Sequence, residues 1–399
     1  MNTARPNGAP EQTKVLVLNT GGTLGMIKGP DGGYIPSRSA EELLAGICKP
    51  ARVQIQTMLN MPKLLDSTNV GIDDQIEMAE KIAEHYQDHD AFVVLHGTDT
   101  LAETCAAFLR IFEKTLQKTI VVVGAQMARG EVNSDAELQI GTALRVARAF
   151  HRKKYVGVFT ACMGNVLDGA RTMKRNESDF AAFHTPGRDP VAKCWPKMLY
   201  QEHLLRTENR AIATEGLQLH KAFDRKVAIF DVHANIPPST LLSNVFHIPP
   251  GPPQCSMMQS IIHEPIHQYR IHGAILRAKG SGNIPDKPYD KNASPDSWDS
   301  LSWMEAVNLA SNYASVRVVG ISPFDDGRIN TRYGLGKQAQ KAGMMSGGSL
   351  TAPMAFISLA KAIAVYGAQR GRADIVQQFL LMNSLGEMLP GVQDDDEDE

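Results

Sequence analysis

Long apolar runs are missing from this 399-residue chain, and so is an excess of either charge. No stretch approaches the ~20 consecutive apolar residues that a membrane-spanning helix needs, so no membrane partner is expected. The 41 basic and 43 acidic side chains leave a formal net charge of −2, which gives no bulk attraction to nucleic acid or to an anionic surface. The opening Met1-Asn2-Thr3-Ala4-Arg5-Pro6-Asn7-Gly8 lacks the apolar core of a secretory signal. Cysteine is scarce. Cys48, Cys105, Cys162, Cys194 and Cys255 are scattered, odd in number and never spaced as C-x-x-C, which indicates neither a disulfide framework nor a zinc site. Cys105 and Cys162 sit in apolar stretches and read as small core residues. No internal repeat is present. These absences lead to the expectation of a cytoplasmic protein with reduced thiols.

What the chain does contain is alternation. Strand-length apolar runs at 14–19, 91–96, 119–124 and 155–160 are separated by segments of helical period. Ile72, Ile76, Ala79, Ala83 and Tyr86 recur at that period, as do Leu101, Cys105, Phe108 and Leu109. Continuous apolar strands between amphipathic helices predict βαβ units and an α/β fold with a parallel-rich sheet flanked by helices. A second alternating series runs from 226 to about 382, with strands at 226–232, 273–277 and 316–322. The length also favours two domains. The expected organisation is a disordered arm at 1–13, a larger amino-terminal α/β catalytic domain at 14–190, and a linker at 191–225. A smaller carboxy-terminal α/β domain with a parallel sheet follows at 226–390, then an acidic tail at 391–399. A Pro-rich insertion at 248–253 and a His-containing segment to residue 272 interrupt the second series.

Two motifs sit at the carboxyl ends of apolar strands, where parallel sheets bind ligands. The first is Thr20-Gly21-Gly22-Thr23 and the second His96-Gly97-Thr98-Asp99-Thr100. Hydroxyls set beside backbone N–H groups suit acyl transfer, which needs a nucleophile and an oxyanion site. Each motif also has a plain reading. Glycine pairs are common turn formers, and Thr100 with Glu103 fits the capping-box spacing at a helix start. Gly29-Pro30-Asp31-Gly32-Gly33-Tyr34 reads as a flap carrying a tyrosine. No G-x-G-x-x-G is present, so a dinucleotide-dependent enzyme is set aside. His263 and His267 are four apart but lack an H-E-x-x-H frame, so no metal is expected.

Taken together, the segments resemble the bacterial-type L-asparaginase family, nearer its cytosolic branch than its secreted one. The motifs that carry this are the two threonine motifs with Tyr34-Ile35-Pro36, Leu64-Leu65-Asp66-Ser67-Thr68, Val121-Val122-Val123-Gly124-Ala125-Gln126, Leu167-Asp168-Gly169-Ala170-Arg171-Thr172-Met173-Lys174 and Gly280-Ser281-Gly282-Asn283. The resemblance spans residues 14 to about 385. It implies hydrolysis of L-asparagine to L-aspartate and ammonia without a cofactor. It assigns Thr23, Tyr34, Thr98, Asp99 and Lys174 to catalysis. Gly22, Asp66, Ser67, Gly97 and Ala125 are assigned to the substrate pocket. It also implies a homodimer or homotetramer in which Asn283 approaches a neighbouring subunit's site. Allosteric members of that branch carry Thr where this chain has Met173, and a Thr-Gln-Cys segment where it has Ser322-Pro323-Phe324, so substrate cooperativity is not expected. Three other readings stay open: a glutaminase-asparaginase, because one methylene is worth only ~1–3 kcal/mol of discrimination; an amidotransferase subunit, which would carry an extra amino-terminal domain; and an inactive asparagine sensor, which would have no need of the nucleophiles.

Overall fold

The computed structural model describes residues 12–246, 271–295, 297–330, 333–367 and 372–389. The acidic tail, nearly all of the proposed arm, and the insertion with its histidines except His272 lie outside the described residues. The chain divides into two units, Met1–Lys221 and Ala222–Glu399.

The strands of the first unit, in chain order, are β1 (Thr13–Gly21), β2 (Met26–Lys28), β3 (Tyr34–Pro36), β4 (Val53–Leu65), β5 (Ala91–Leu95), β6 (Thr119–Val123), β7 (Gly157–Cys162), β8 (Asn165–Asp168), β9 (Met173–Lys174), β10 (Phe183–His184), β11 (Ala192–Lys193) and β12 (Leu199–Tyr200). Eight of them form one sheet in the order β12-β11-β8-β7-β6-β5-β1-β4. β4, β1, β5, β6 and β7 are parallel, while β8, β11 and β12 add an antiparallel edge. Every residue of β5 and β6 is buried, as parallel strands covered on both faces must be. Val15, Val17, Val93, Leu95, Val121 and Val123 point to one face and pack on helix Ala136–Lys153 through Ile140, Leu144 and Phe150. Each such side chain contributes ~1.5–3 kcal/mol by leaving water. Helix Leu101–Phe112 is apolar nearly all round and is buried at every position except Glu103.

β4 escapes the sequence reading. Its burial alternates half-buried and exposed from Val53 through Asn60, with Gln54, Gln56 and Asn60 interleaved among apolar residues. That period of two was visible in the sequence and marks an edge strand, where Pro62 is also tolerated. The stretch 191–225 contributes β11, β12 and helix Arg210–Glu215 to this first unit.

The chain runs from β1 outward to β4 and then returns to β5 on the other side of β1. The loops that follow β1 and β5 therefore leave neighbouring strands in opposite directions. That is a topological switch point, and it opens a crevice at the carboxyl ends of those two strands.

The second unit has a four-stranded parallel sheet, β13 (Val227–Asp231), β14 (Gly273–Arg277), β15 (Arg317–Ile321) and β16 (Met345–Ser346). Leu241, Leu276, Trp303, Val307 and Val318 fill its core. Ser302 and Glu305 form a capping box that starts helix Trp303–Asn308. Both sheets match the expected α/β architecture, a larger parallel-rich one and a smaller parallel one. Cys105, Cys162 and Cys194 are free and buried. Among the described residues, no helix is long and apolar enough to cross a membrane.

Candidate active site

The crevice is assembled by backbone contact. A β-carbon on Gly22 would lie 2.2 Å from the nitrogen and α-carbon of Gly97. One on Gly97 would lie 2.4 Å from Ser67 Oγ. Only glycine lets the three segments approach this closely, and Gly22 also holds a φ of 76°, which other residues rarely adopt. Gly22, Gly97 and Ser67 are thereby brought together from loops after three different strands. Asn19 prepares the first loop from beneath: its side chain donates to the carbonyl of Arg38 and to Asn60 Oδ1, and accepts from the Gly21 N–H.

The loop after β5 is held by side-chain bonds. The Ser67 hydroxyl accepts from the Asp99 N–H at 3.1 Å, and Thr68 Oγ1 donates to Asp99 Oδ2 at 2.9 Å. Asp66 caps the short turn Ser67–Asn69 by accepting from the Thr68 N–H. Thr100 does not cap its helix. It makes no side-chain cap bond, and its hydroxyl instead donates to the Ser67 carbonyl at 2.7 Å. The capping-box reading of Thr100 and Glu103 is thus corrected: tertiary contact across 33 residues replaces the local bond.

His96 lies fully buried behind the loop. Its Nδ1 is 2.7 Å from the Gly97 carbonyl, which can only accept, so Nδ1 carries the proton. Nε2 then accepts from Thr104 Oγ1 at 3.0 Å, and Gln75 donates to that hydroxyl at 3.2 Å. Burial pushes the imidazole down to about 4, keeping it neutral.

Lys174 closes the constellation from β9. Its Nζ donates to Thr98 Oγ1 at 2.9 Å and to Asp99 Oδ1 at 2.8 Å, and pairs with Glu177 at 2.8 Å. Burial works to lower the lysine, but the hydrogen bonds to Asp99 and Glu177 outweigh it and hold the ammonium above its ordinary range. The Asp99 carboxylate is lowered in turn, chiefly by the Lys174 bond. All three N–H groups of the ammonium are engaged, so Lys174 stands here as a cation rather than a free base.

Thr23 differs from Thr98. It starts the short turn Thr23–Gly25, is half-buried, and among the described residues its hydroxyl has no hydrogen-bond partner. Tyr34 lies on the β2–β3 hairpin, is 44% exposed, and donates its hydroxyl to Glu131 at 2.8 Å. That bond raises the phenol above its ordinary range. Ala125 follows β6 with its side chain in the core, which leaves only its peptide for a ligand. Asn283 belongs to the second unit, in the turn after β14, and its Oδ1 is buried without a hydrogen-bond partner. Among the described residues, no group of His, Cys, Asp and Glu could hold a metal ion.

Thr68, Glu131 and Glu177 are site contacts that the sequence reading did not single out. Thr68 adjoins the Asp66-Ser67 pair and could have been included with it. The two glutamates lie in polar loops and carry no local signal.

Comparison with known proteins places this geometry. Residues 14–204 match the family model described as "Asparaginase, N-terminal". The chain is 24% identical over 387 residues to "L-asparaginase 1" of Escherichia coli, covering 95% of this chain and 99% of that protein. It is 25% identical over 336 residues to the "60 kDa lysophospholipase" of Homo sapiens, covering 84% of this chain; it spans about half the length of that relative, 51%. The solved L-asparaginase of Thermococcus kodakarensis shares the fold, with a TM-score of 0.74, 23% identity, and coverage of 95% of this chain and 100% of that one. Residues 14–204, nearly all of the first unit, thus belong to the asparaginase amino-terminal family, and the chain shares the fold of a solved L-asparaginase.

Proposed function

We propose that the protein hydrolyses L-asparagine to L-aspartate and ammonia, with Thr23 as nucleophile and no cofactor. One observation supports this reading above the others: the Lys174 ammonium bridges the Thr98 hydroxyl and the Asp99 carboxylate beside the Gly22–Gly97 contact. Relatives named L-asparaginase that match nearly the whole chain support the substrate.

A primary amide is a poor electrophile, so the reaction divides into two steps. Thr23 Oγ bonds to the side-chain amide carbon, and the C–N bond breaks. The proton from the Thr23 hydroxyl goes to the departing nitrogen, so ammonia leaves and a β-aspartyl ester remains. Water then adds to the ester carbon, the bond to Thr23 Oγ breaks, and a water proton returns to the hydroxyl. Thr98 relays protons between these groups. Lys174 stays cationic, orienting Thr98 and stabilising the negative charge that develops on the carbonyl oxygen. Peptide N–H groups near Ala125 and Gly97 add to that stabilisation, each worth about 3–4 kcal/mol. Asp66 and Ser67 bind the substrate's α-amino and α-carboxylate groups, and Gly22 lines the pocket. Tyr34 closes over the bound substrate once its hydroxyl leaves Glu131.

The same reading makes the protein a cytoplasmic homodimer or homotetramer with Asn283 facing a neighbouring subunit's site. Ammonia release measured on L-asparagine, D-asparagine and L-glutamine over a wide concentration range tests the proposal. Turnover of L-asparagine above both others is expected. Preference for L-glutamine would make the enzyme a glutaminase, and no release from any would leave the sensor reading.

A further inference from the structure

The opposite pole of the same sheet carries a second concave surface. A cavity of about 600 Å³ opens at the amino ends of the strands, beside Thr13, Lys118 and Thr119, and is walled by Arg52, Arg152 and Tyr155. The five residues of β5 separate this pole from the crevice by roughly 15 Å of strand.

Most charges on its wall are already used. Asp90 Oδ2 accepts from the Lys14 N–H at 2.8 Å, and Glu208 pairs with Lys154 at 3.0 Å. Lys118 donates to the carbonyls of Tyr86 and His89. Arg52 and Arg152 are different: neither has an ion pair among the described residues. Arg148 lies one turn from Arg152 on the same face of helix Ala136–Lys153. Its Nε is shielded from solvent and has no hydrogen-bond acceptor. Burial first, and then the charges of Arg152 and Arg52, push that guanidinium below its ordinary range. Two distant segments thus set Arg52 and Arg152 on one concave wall, with the dry, unsatisfied Nε of Arg148 one helical turn away from Arg152. Arg52 reaches this position from a backbone φ of 66°, in the left-handed region.

We propose that this cavity binds a small anion bearing at least two linked phosphate groups, with Arg52 and Arg152 taking the phosphate oxygens. Guanidinium forks match phosphate geometry in bidentate fashion. The cavity volume lies within the range of small-ligand sites, and Thr13, Gln117 and Tyr155 offer polar contacts beyond the arginines.

Calorimetric titration of the full chain with inorganic pyrophosphate tests this. Saturable binding below about 1 mM is expected, weakening as salt rises. The double variant R52M/R152M loses affinity by roughly 30-fold or more, with an unchanged circular dichroism spectrum. The single variant R152M loses it by about tenfold and gives the same reading if the double variant fails to fold. No saturable binding, equal affinity in the folded variants, or equal affinity for sulfate at matched ionic strength would each overturn the assignment.

Discussion

Two threonine loops leave neighbouring parallel strands at the same pole, yet they are built in opposite ways. After β1, two consecutive positive-φ glycines lead to Thr23, whose hydroxyl has no partner among the described residues, and then to a hairpin with exposed Tyr34 and Ile35. After β5, His96, Thr98, Asp99 and Thr100 are each tied by side-chain bonds to residues outside their loop. Sparse bonding keeps a group free to move toward substrate, and dense bonding holds a frame rigid. The difference supports the proposed attack by Thr23 and the proposed positioning by the loop that contains Thr98.

The sharpest way to break that comparison is covalent. Thr23→Val removes the proposed nucleophile at nearly constant volume, and it is expected to lower kcat by roughly 10⁴-fold with little change in stability. Mass spectrometry of acid-quenched enzyme should find a β-aspartyl adduct on the peptide containing Thr23 in the native protein. An adduct on the peptide containing Thr98 would invert the two roles.

A second test probes the contact that joins the loops. Gly22→Ala puts a methyl group 2.2 Å from Gly97 backbone at a φ of 76°. It is expected to cost about 3 kcal/mol or more in chemical denaturation and to abolish turnover. Gly32→Ala in the hairpin is the matched control. Its φ is 84°, but nothing lies within 4 Å of the new methyl. Backbone strain alone then acts, and a loss of about 1 kcal/mol is expected. Equal losses would show that φ, and not the close approach, governs Gly22.

The frame should also respond to acid before the first loop does. The His96 imidazole sits at about 4 in the fold and near 6.5 when unfolded. Between those values the unfolded chain binds the extra proton, so stability falls as pH drops from 6.5 toward 4, by about 3 kcal/mol in all. Asp99 is lowered too, so its contribution is present above its ordinary value and is lost at still lower pH. Lys174 behaves in reverse: its contribution holds below its ordinary value and is lost as pH rises through the raised one. Denaturation midpoints of His96→Gln measured from pH 7 to 4 should be flatter than those of the native protein. An unchanged slope would remove His96 as the source.

Much of this was legible in the sequence, for a physical reason. β5 and β6 are buried on both faces, so they read as unbroken apolar runs, and the motifs that follow them are local. β4 was missed because an edge strand alternates with polar residues, which breaks an apolar run without breaking the strand. Lys174 stands 75 residues from Asp99, and no spacing rule links them; only resemblance paired them before the structure did. Glu177 and Glu131 were not legible at all. An exposed carboxylate in a polar loop looks the same whether it faces water or a site. The Arg52 and Arg152 wall of the second cavity was hidden for a related reason, since a net charge near zero averages over local excess.

Thr100 gives the smallest effect and the cleanest decision. Its sequence context fits a helix cap, whereas its hydroxyl bonds the Ser67 carbonyl. The two roles need opposite chemistry. A cap accepts from backbone N–H groups, so Asp and Ser serve about equally. A clamp on a carbonyl must donate, and an ionised Asp cannot. Thr100→Ser is therefore expected to stay within about 0.5 kcal/mol of the native protein. Thr100→Asp should lose about 1–3 kcal/mol, because one hydrogen bond goes and a carboxylate is set against a carbonyl. The loss should appear as a raised KM for asparagine more than as a lowered kcat, since Ser67 is the group displaced and it is proposed to bind the substrate's α-groups. If Thr100→Asp proves as stable as Thr100→Ser, the cap is the working role, and Ser67 is held in place by the Asp99 N–H alone.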